Sequence, residues 1–231
     1  MMNKRKLTVL TGAGMSAESG IKTFRGSDGL WENYSIDEVA TPRGWRKNPG
    51  LVLEFYNARR QNIAQAVPNE GHHILKKLES LFEVHIVTQN IDDLHERAGS
   101  TSILHLHGEI TSARCEVEGH HKEFIGYRNM TLNERCPLQH PMRPDIVWFE
   151  EAVPMLEVAI PLVMQCDILL IVGTSMQVYP AASLIHYAGP QCEIMVVDPD
   201  TPDTLKNGRV RAIAAGASAG LTQLWQEWLS A

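Results

Sequence analysis

The run Ile103-Leu-His-Leu-His-Gly108 carries two histidines on alternate positions, so a strand there sends both rings to one side. His107 stands directly before a glycine at the end of that run, where function tends to concentrate. An imidazole titrates near neutral pH and suits a general base. His105 lies two residues before it on the same side. Upstream, Gln89, Asn90, Ile91 and Asp92 follow a β-branched run. Amide and carboxylate groups at such a strand end can hydrogen-bond a polar ligand. Asn90 and Asp92 also suit the cap of a following helix, and the two uses are compatible.

Gly12-Ala-Gly14, with Ser16 just beyond, directly follows Leu7-Thr-Val-Leu-Thr11. Two glycines there let the backbone turn tightly and approach a pyrophosphate, with the amides of a following helix as donors. The third glycine of G-x-G-x-x-G is missing, because Ala17 occupies its place. A purely structural strand-to-helix turn explains so short a motif equally well. Tyr56 and Arg59, three residues apart, share one face of a predicted helix. A phenol and a guanidinium side by side can bind a carboxylate through charge-assisted hydrogen bonds. Taken alone, such a pair is more commonly a packed tyrosine beside a solvated arginine.

These groups need a frame. Strands are expected at Leu7–Thr11, Glu83–Thr88, Ile103–Leu106, Asp167–Thr174 and Glu193–Asp198, all apolar or β-branched. Helices are expected at Asn48–Ala66, Asn69–Leu81, Ala152–Gln165, Pro180–Ala188 and Ala217–Leu229. Strand and helix alternate, which predicts an α/β fold with a parallel sheet covered on both faces. The segment Thr111 to Arg143 breaks the alternation, being polar and rich in His, Glu and Asn, and reads as an inserted small module.

Four blocks, in order, resemble the signatures of the sirtuin family. They are Gly12-Ala-Gly-Met-Ser-Ala-Glu-Ser-Gly-Ile-Lys-Thr-Phe-Arg-Gly26, Thr88-Gln-Asn-Ile-Asp-Asp-Leu-His95, Leu106-His-Gly108 and Gly173-Thr-Ser-Met-Gln-Val-Tyr-Pro-Ala-Ala182. The resemblance implies one catalytic domain over 1–231, with a Rossmann-like doubly wound parallel sheet and a smaller inserted module. The large part would take about 1–27, 70–110 and 145–231, and the module about 28–69 and 111–144. It implies NAD as a co-substrate. Gly12, Ala13, Gly14, Ser16, Phe24 and Arg25 would lie around the pyrophosphate and nicotinamide ribose. Gln89, Asn90, Ile91 and Asp92 would form the ribose and nicotinamide pocket, while Gly173, Thr174, Ser175, Asp198 and Ala217 would hold the adenosine half. His107 would draw a proton from a ribose hydroxyl, with Asn90 and Asp92 completing the catalytic set. His105 does not match the family's base, which implies a structural or exposed role for it. The acyl group of a modified protein lysine would leave as O-acyl-ADP-ribose, with nicotinamide released.

The spacing of Tyr56 and Arg59 matches family members that remove succinyl, malonyl or glutaryl groups, and acetyl removal is compatible with it. Val147-Trp-Phe149 resembles the segment that pairs with extended substrate. Glu150 replaces the usual glycine there, which would strain the loop if φ is positive. Lys22 replaces a signature proline, leaving that loop less rigid. Many relatives carry two C-x2-C zinc pairs. Here the partners of Cys115 and Cys136 would be Glu118 and Gln139, so the module is expected to lack zinc. His120, His121 and His140 are the only nearby substitutes. Cys166 and Cys192 lie in apolar runs and are expected to be reduced core residues.

The 231 residues carry 44% hydrophobic and 21% charged side chains, an ordinary globular balance, and a net charge of -6. Nothing points to nucleic acid or membrane partners, and a monomer or weak oligomer is expected. The apolar run behind Met1–Lys6 stops at Gly12, too short for a signal peptide, so the cytoplasm is the expected compartment. Two other functions share these residues: NAD-dependent ADP-ribosyl transfer to protein, and a non-catalytic module that senses NAD or ADP-ribose.

Overall fold

A computed structural model describes residues 4–22, 30–31, 34–117, 121–176, 178–200 and 210–230. Six strands form the main sheet: β1 (Lys6–Thr11), β4 (Glu83–Thr88), β5 (Ile103–His105), β9 (Ile168–Val172), β10 (Glu193–Val197) and β11 (Val210–Ile213). Their order is β11-β10-β9-β1-β4-β5, and every pairing is parallel. From β1 the chain winds outward to β5, then returns to build β9 to β11 on the other side. The reversal lies between β1 and β9, where open parallel sheets bind ligands at their carboxyl ends.

Alternation along the strands feeds two cores. Leu7, Val9, Leu170 and Val172 pack beneath α5 (Glu70–Leu78) and α8 (Ala217–Leu229). Leu10, Leu169, Ile171 and Val196 face α7 (Leu156–Met164) and the 3₁₀ turn Ala181–Tyr187. Cys166 and Cys192 are free and buried on this second side, their sulfurs 3.5 Å apart.

The smaller part has its own core, around Trp45, Phe55, Tyr56, Ile110, Met142 and Trp148. It joins the helices α2 (Ile36–Val39), α3 (Pro42–Lys47) and α4 (Pro49–Gln65) to an antiparallel sheet. That sheet pairs β6 (Gly108–Cys115) with β7 (Lys122–Phe124) and β8 (Met142–Ile146). A short ladder, β2 (Leu30–Trp31) with β3 (Tyr34–Ser35), completes the part. Asn48 starts α4 by accepting the Leu51 N–H at 3.2 Å, with Pro49 at the first helical position. Arg60, fully buried on α4, donates from Nε to the Ile110 carbonyl and ties this helix to β6. Two single-turn helices, α1 (Gly14–Ala17) and α6 (Leu94–Arg97), follow β1 and β4.

The expected elements of the main sheet and its helices are present, with differences, and the strands and short helices of the smaller part were not expected. The segment Pro180–Ala188 forms 3₁₀ rather than α-helical turns. The helix expected from Ala152 begins only at Leu156, after a turn at Pro154 and Met155. Strand β11 was not expected, because only Ile213 of its four residues is buried.

Candidate active site

The carboxyl ends of β1, β4, β9 and β10 open into a cavity of about 850 Å³ whose other wall is the smaller part. Its first floor is a meeting of two backbones. Gly12 N donates to Val172 O at 3.1 Å, and Gly14 N to Gly173 O at 2.8 Å. A Cβ on Gly12 would lie 2.6 Å from Thr174 Cβ, and one on Gly14 would lie 2.7 Å from Gly173 Cα. Gly173 has φ +61°, and its Cβ would meet Met15 N at 2.3 Å. Close loop packing therefore demands these glycines. The helix expected to donate amides to phosphate is α1, a single turn of four residues.

Above this floor lies a buried polar cluster. Ser16 Oγ donates to Asp92 Oδ2 at 3.0 Å and accepts from Asn90 Nδ2 at 3.1 Å. Asp92 Oδ1 accepts the Leu94 N–H at 3.2 Å, closing an Asx turn that leads into α6. Burial raises the Asp92 carboxyl above its ordinary value, against the hydrogen bonds that lower it. Gln89 Nε2 donates to Thr174 Oγ1 at 3.2 Å, linking the β4 and β9 loops.

His107 lies just after β5, its ring held by Nδ1–H donating to Gln89 O at 3.0 Å. A carbonyl accepts only, so the neutral ring leaves Nε2 without its proton. Burial pushes the imidazole below its ordinary value, outweighing that hydrogen bond. The group is thus neutral near pH 7 and able to accept a proton. Gly108 follows at φ +80°, where a Cβ would lie 2.0 Å from Asp145 O. The glycine lets β6 leave directly beside β8, and Val147 N returns to donate to His107 O at 2.9 Å.

From the smaller part, α4 supplies Tyr56 and Arg59 to the cavity wall. Tyr56 is fully buried and its hydroxyl accepts from Trp148 Nε1 at 3.1 Å. Burial drives the phenol well above its usual range, so it stays protonated. Arg59 is only 6% exposed, its Cζ 5.7 Å from the Phe55 ring centre. The alternative of a solvated arginine on an exposed helix face does not hold: this face of α4 turns inward. Trp148 is itself held, with Arg143 Cζ 3.9 Å from its ring.

Of the residues expected at the site, Gly12, Ala13, Gly14, Ser16, Gln89, Asn90, Ile91, Asp92 and His107 line the cavity. So do Gly173, Thr174, Ser175, Asp198, Tyr56, Arg59, Val147, Trp148 and Phe149. Phe24 and Arg25 fall outside the described residues. Ala217 is not brought to the wall; it opens α8 and is 3% exposed in the core. His105 is structural, with Nδ1 donating to Asn90 O at 2.9 Å and Nε2 bonded to Glu96 at 2.8 Å. Several lining residues went unassigned, among them Ala40, Ile63, Ile146 and the pair Val178 and Tyr179. The first three are apolar groups with no chemical signal, whereas Val178 and Tyr179 lie inside the fourth signature block.

Cys115, Cys136 and His140 form a three-member group whose ligand atoms lie within 4.8 Å of one another. His140, four residues beyond Cys136, supplies the third group and Gln139 does not; Glu118 lies outside the described residues. A closed structural zinc site takes four donors, one more than this group holds among the described residues.

The cavity sits where an open parallel sheet binds a nucleotide, and the comparisons agree with that class. The Sir2 family matches residues 12–180. The chain belongs to the Sir2 family. An "NAD-dependent protein deacylase" of Bacteroides thetaiotaomicron is 44% identical over 96% of this chain and 97% of its own length. One of Helicobacter pylori is 48% identical over 95% and 96%. Among solved structures, a Sir2 homologue mutant with ADP-ribose superposes with a TM-score of 0.88 at 35% identity, covering 98% of this chain and 94% of that one. A Sir2 homologue–NAD complex gives 0.87 at 34% identity, covering 98% and 90%.

Proposed function

We propose that this protein is an NAD-dependent protein-lysine deacylase that favours acyl groups ending in a carboxylate. One observation carries the reading: a buried tyrosine hydroxyl and a buried guanidinium share a cavity with a neutral histidine whose Nε2 is bare. NAD, a co-substrate here, would be held by Gly12–Ser16, Gln89–Asp92, Gly173–Ser175 and Asp198, and it supplies the ADP-ribose that accepts the acyl group. Asn90 and Ser16 offer the hydrogen-bonding groups that sugar hydroxyls and a carboxamide require. His107 Nε2 takes the proton from a sugar hydroxyl, and the Gln89 carbonyl holds the ring in the tautomer that permits it.

Tyr56 already accepts from Trp148, so its O–H is left to donate. With Arg59 it offers a carboxylate two charge-assisted or neutral donors in a dry setting, worth about 1.5–3 kcal/mol for each charged bond. Succinyl, malonyl and glutaryl lysine carry such a carboxylate and acetyl lysine does not. Extended substrate would lie between Val147–Phe149 and Val178–Tyr179, the two groove walls. The names of the relatives support deacylation as the reaction class.

The smaller part is read as held by packing rather than by zinc: Cys115 and Cys136 are buried in its apolar core. Metal analysis of the purified protein tests this: zinc far below stoichiometric is expected, and a stoichiometric zinc would overturn it. The protein is read as a cytoplasmic monomer or weak oligomer. No described helix is long and apolar enough to cross a membrane.

Nicotinamide release from NAD in the presence of acyl-lysine peptides tests the reading. Release should require the peptide and fall by about 10²–10⁴ in His107→Ala. Peptide-independent release with ADP-ribose on protein would instead support the transferase, and bound NAD without any release the sensor.

A further inference from the structure

Behind the cavity lie two fully buried histidines that the proposed chemistry does not use. His72, on α5, and His95, on α6, pack with ring centres 4.9 Å apart and planes tilted by 57°. His72 Nδ1 accepts the Asn69 N–H at 3.3 Å as part of the α5 capping box. A nitrogen that accepts from a backbone amide carries no proton, so neutral His72 must be the Nε2–H tautomer. His95 Nε2 lies 3.1 Å from Thr11 Oγ1, which lies 2.8 Å from Thr88 Oγ1. Thr88 Oγ1 in turn accepts the Asn90 N–H at 3.0 Å.

Hydroxyls can point either way, so the threonines alone leave His95 undecided. Its neighbour decides it. His72 Nε2 and His95 Nδ1 are both buried and make no hydrogen bond within the protein. A bare His95 Nδ1 leaves a lone pair facing the neighbouring His72 N–H, whereas an Nδ1–H would leave two buried donors beside each other with no acceptor. His95 then carries its proton on Nε2 and donates to Thr11. Burial lowers both imidazoles, His72 to about 4, with neighbouring histidines adding to it, so both stay neutral.

We propose that His95 is a positioning residue: a hydrogen-bond chain from His95 through Thr11 and Thr88 fixes the backbone of Asn90, with His72 packed against the His95 ring. Asn69 grips the first loop, its Nδ2 donating to Met15 O at 2.8 Å and to Ser19 Oγ at 3.1 Å. Through Thr11 the chain couples the end of β1 to the loop after β4, the two sides of the NAD site. This role for Asn90 rests on the deacylase reading; the tautomers do not.

Two measurements test it. Long-range ¹H–¹⁵N correlation spectra of the wild type at pH 7 should show His72 and His95 neutral and both protonated on Nε2. A His95 ring protonated on Nδ1 would overturn the chain. In turnover, His95→Leu and Thr11→Val should each lower kcat about three- to tenfold, the range of one hydrogen bond, with peptide KM little changed. The double variant should be no slower than the slower single one. A folded His95→Leu with wild-type kcat, or additive losses, would contradict the proposal. A wild type that consumes no NAD would sink the deacylase reading and leave the tautomer result standing.

Discussion

His105 and His107 donate from Nδ1 to the carbonyls of Asn90 and Gln89, at 2.9 and 3.0 Å, so two histidines of one strand end grip successive residues of one loop. Their other nitrogens part company. His105 Nε2 meets Glu96 Oε1 at 2.8 Å, while His107 Nε2 is left to the cavity. For His105, burial opposes protonation, but Glu96 and the Asn90 carbonyl outweigh it and the pKa is raised. For His107, burial wins and the pKa is lowered. Two residues of the same type, two positions apart, are thus shifted in opposite directions, one toward holding its proton and one toward the free base.

The base must be deprotonated to act. Since His107 is lowered from the ordinary histidine value of about 6.5, kcat/KM should stay level as pH falls through 6.5 and decline only at more acid pH. An acid limb at or above about 6.5 in the pH profile would disagree with that assignment.

The His105–Glu96 pair acts in the opposite sense. A folded pKa above the unfolded one means stability fully present below about pH 6.5 and lost as pH rises through the folded value. Glu96→Gln should therefore cost stability at pH 6 and progressively less at alkaline pH, as followed by urea unfolding. Glu96 is half exposed, so the effect is expected near the low end for an ion pair, up to about 1 kcal/mol.

Gly173 is required by two constraints at once, a φ of +61° and contact with the backbone of Met15 and Gly14. Gly173→Ala should destabilise the fold by about 2–4 kcal/mol through left-handed strain and overpacking. Equilibrium unfolding checks this; a cost below about 1 kcal/mol would mean that the loops part easily.

Glu150 has φ +72°, the left-handed region disfavoured for a side chain. Its carboxylate stands 4.0 Å from Arg43, both groups largely exposed, which compensates little. Glu150→Gly should raise thermal stability by about 1 kcal/mol. No gain in Tm would show that the conformation is not strained.

Much of this was legible in the sequence, for identifiable reasons. Strand β4 and helix α8 fall on the expected residues because each has a clean period and a clear stop. Tyr56 and Arg59 were readable as a pair because one helical turn joins them. Glu150 was readable as a strained position, and its φ is positive. Strand β6 was obscured because Thr111 and Ser112, polar in type, are buried in it. The edge strand β11 needs few apolar residues and gave no pattern. The partners of His95 lie on other elements, so nothing in its own neighbourhood announces them.

The measurement that bears most directly on the proposed preference is kcat/KM for matched succinyl-lysine and acetyl-lysine peptides in wild type and Arg59→Met. The wild type should favour succinyl by about ten- to a hundredfold, and Arg59→Met should erase that ratio while sparing acetyl turnover. Equal or better acetyl turnover by the wild type, or a ratio unmoved by the substitution, would contradict the carboxylate clamp.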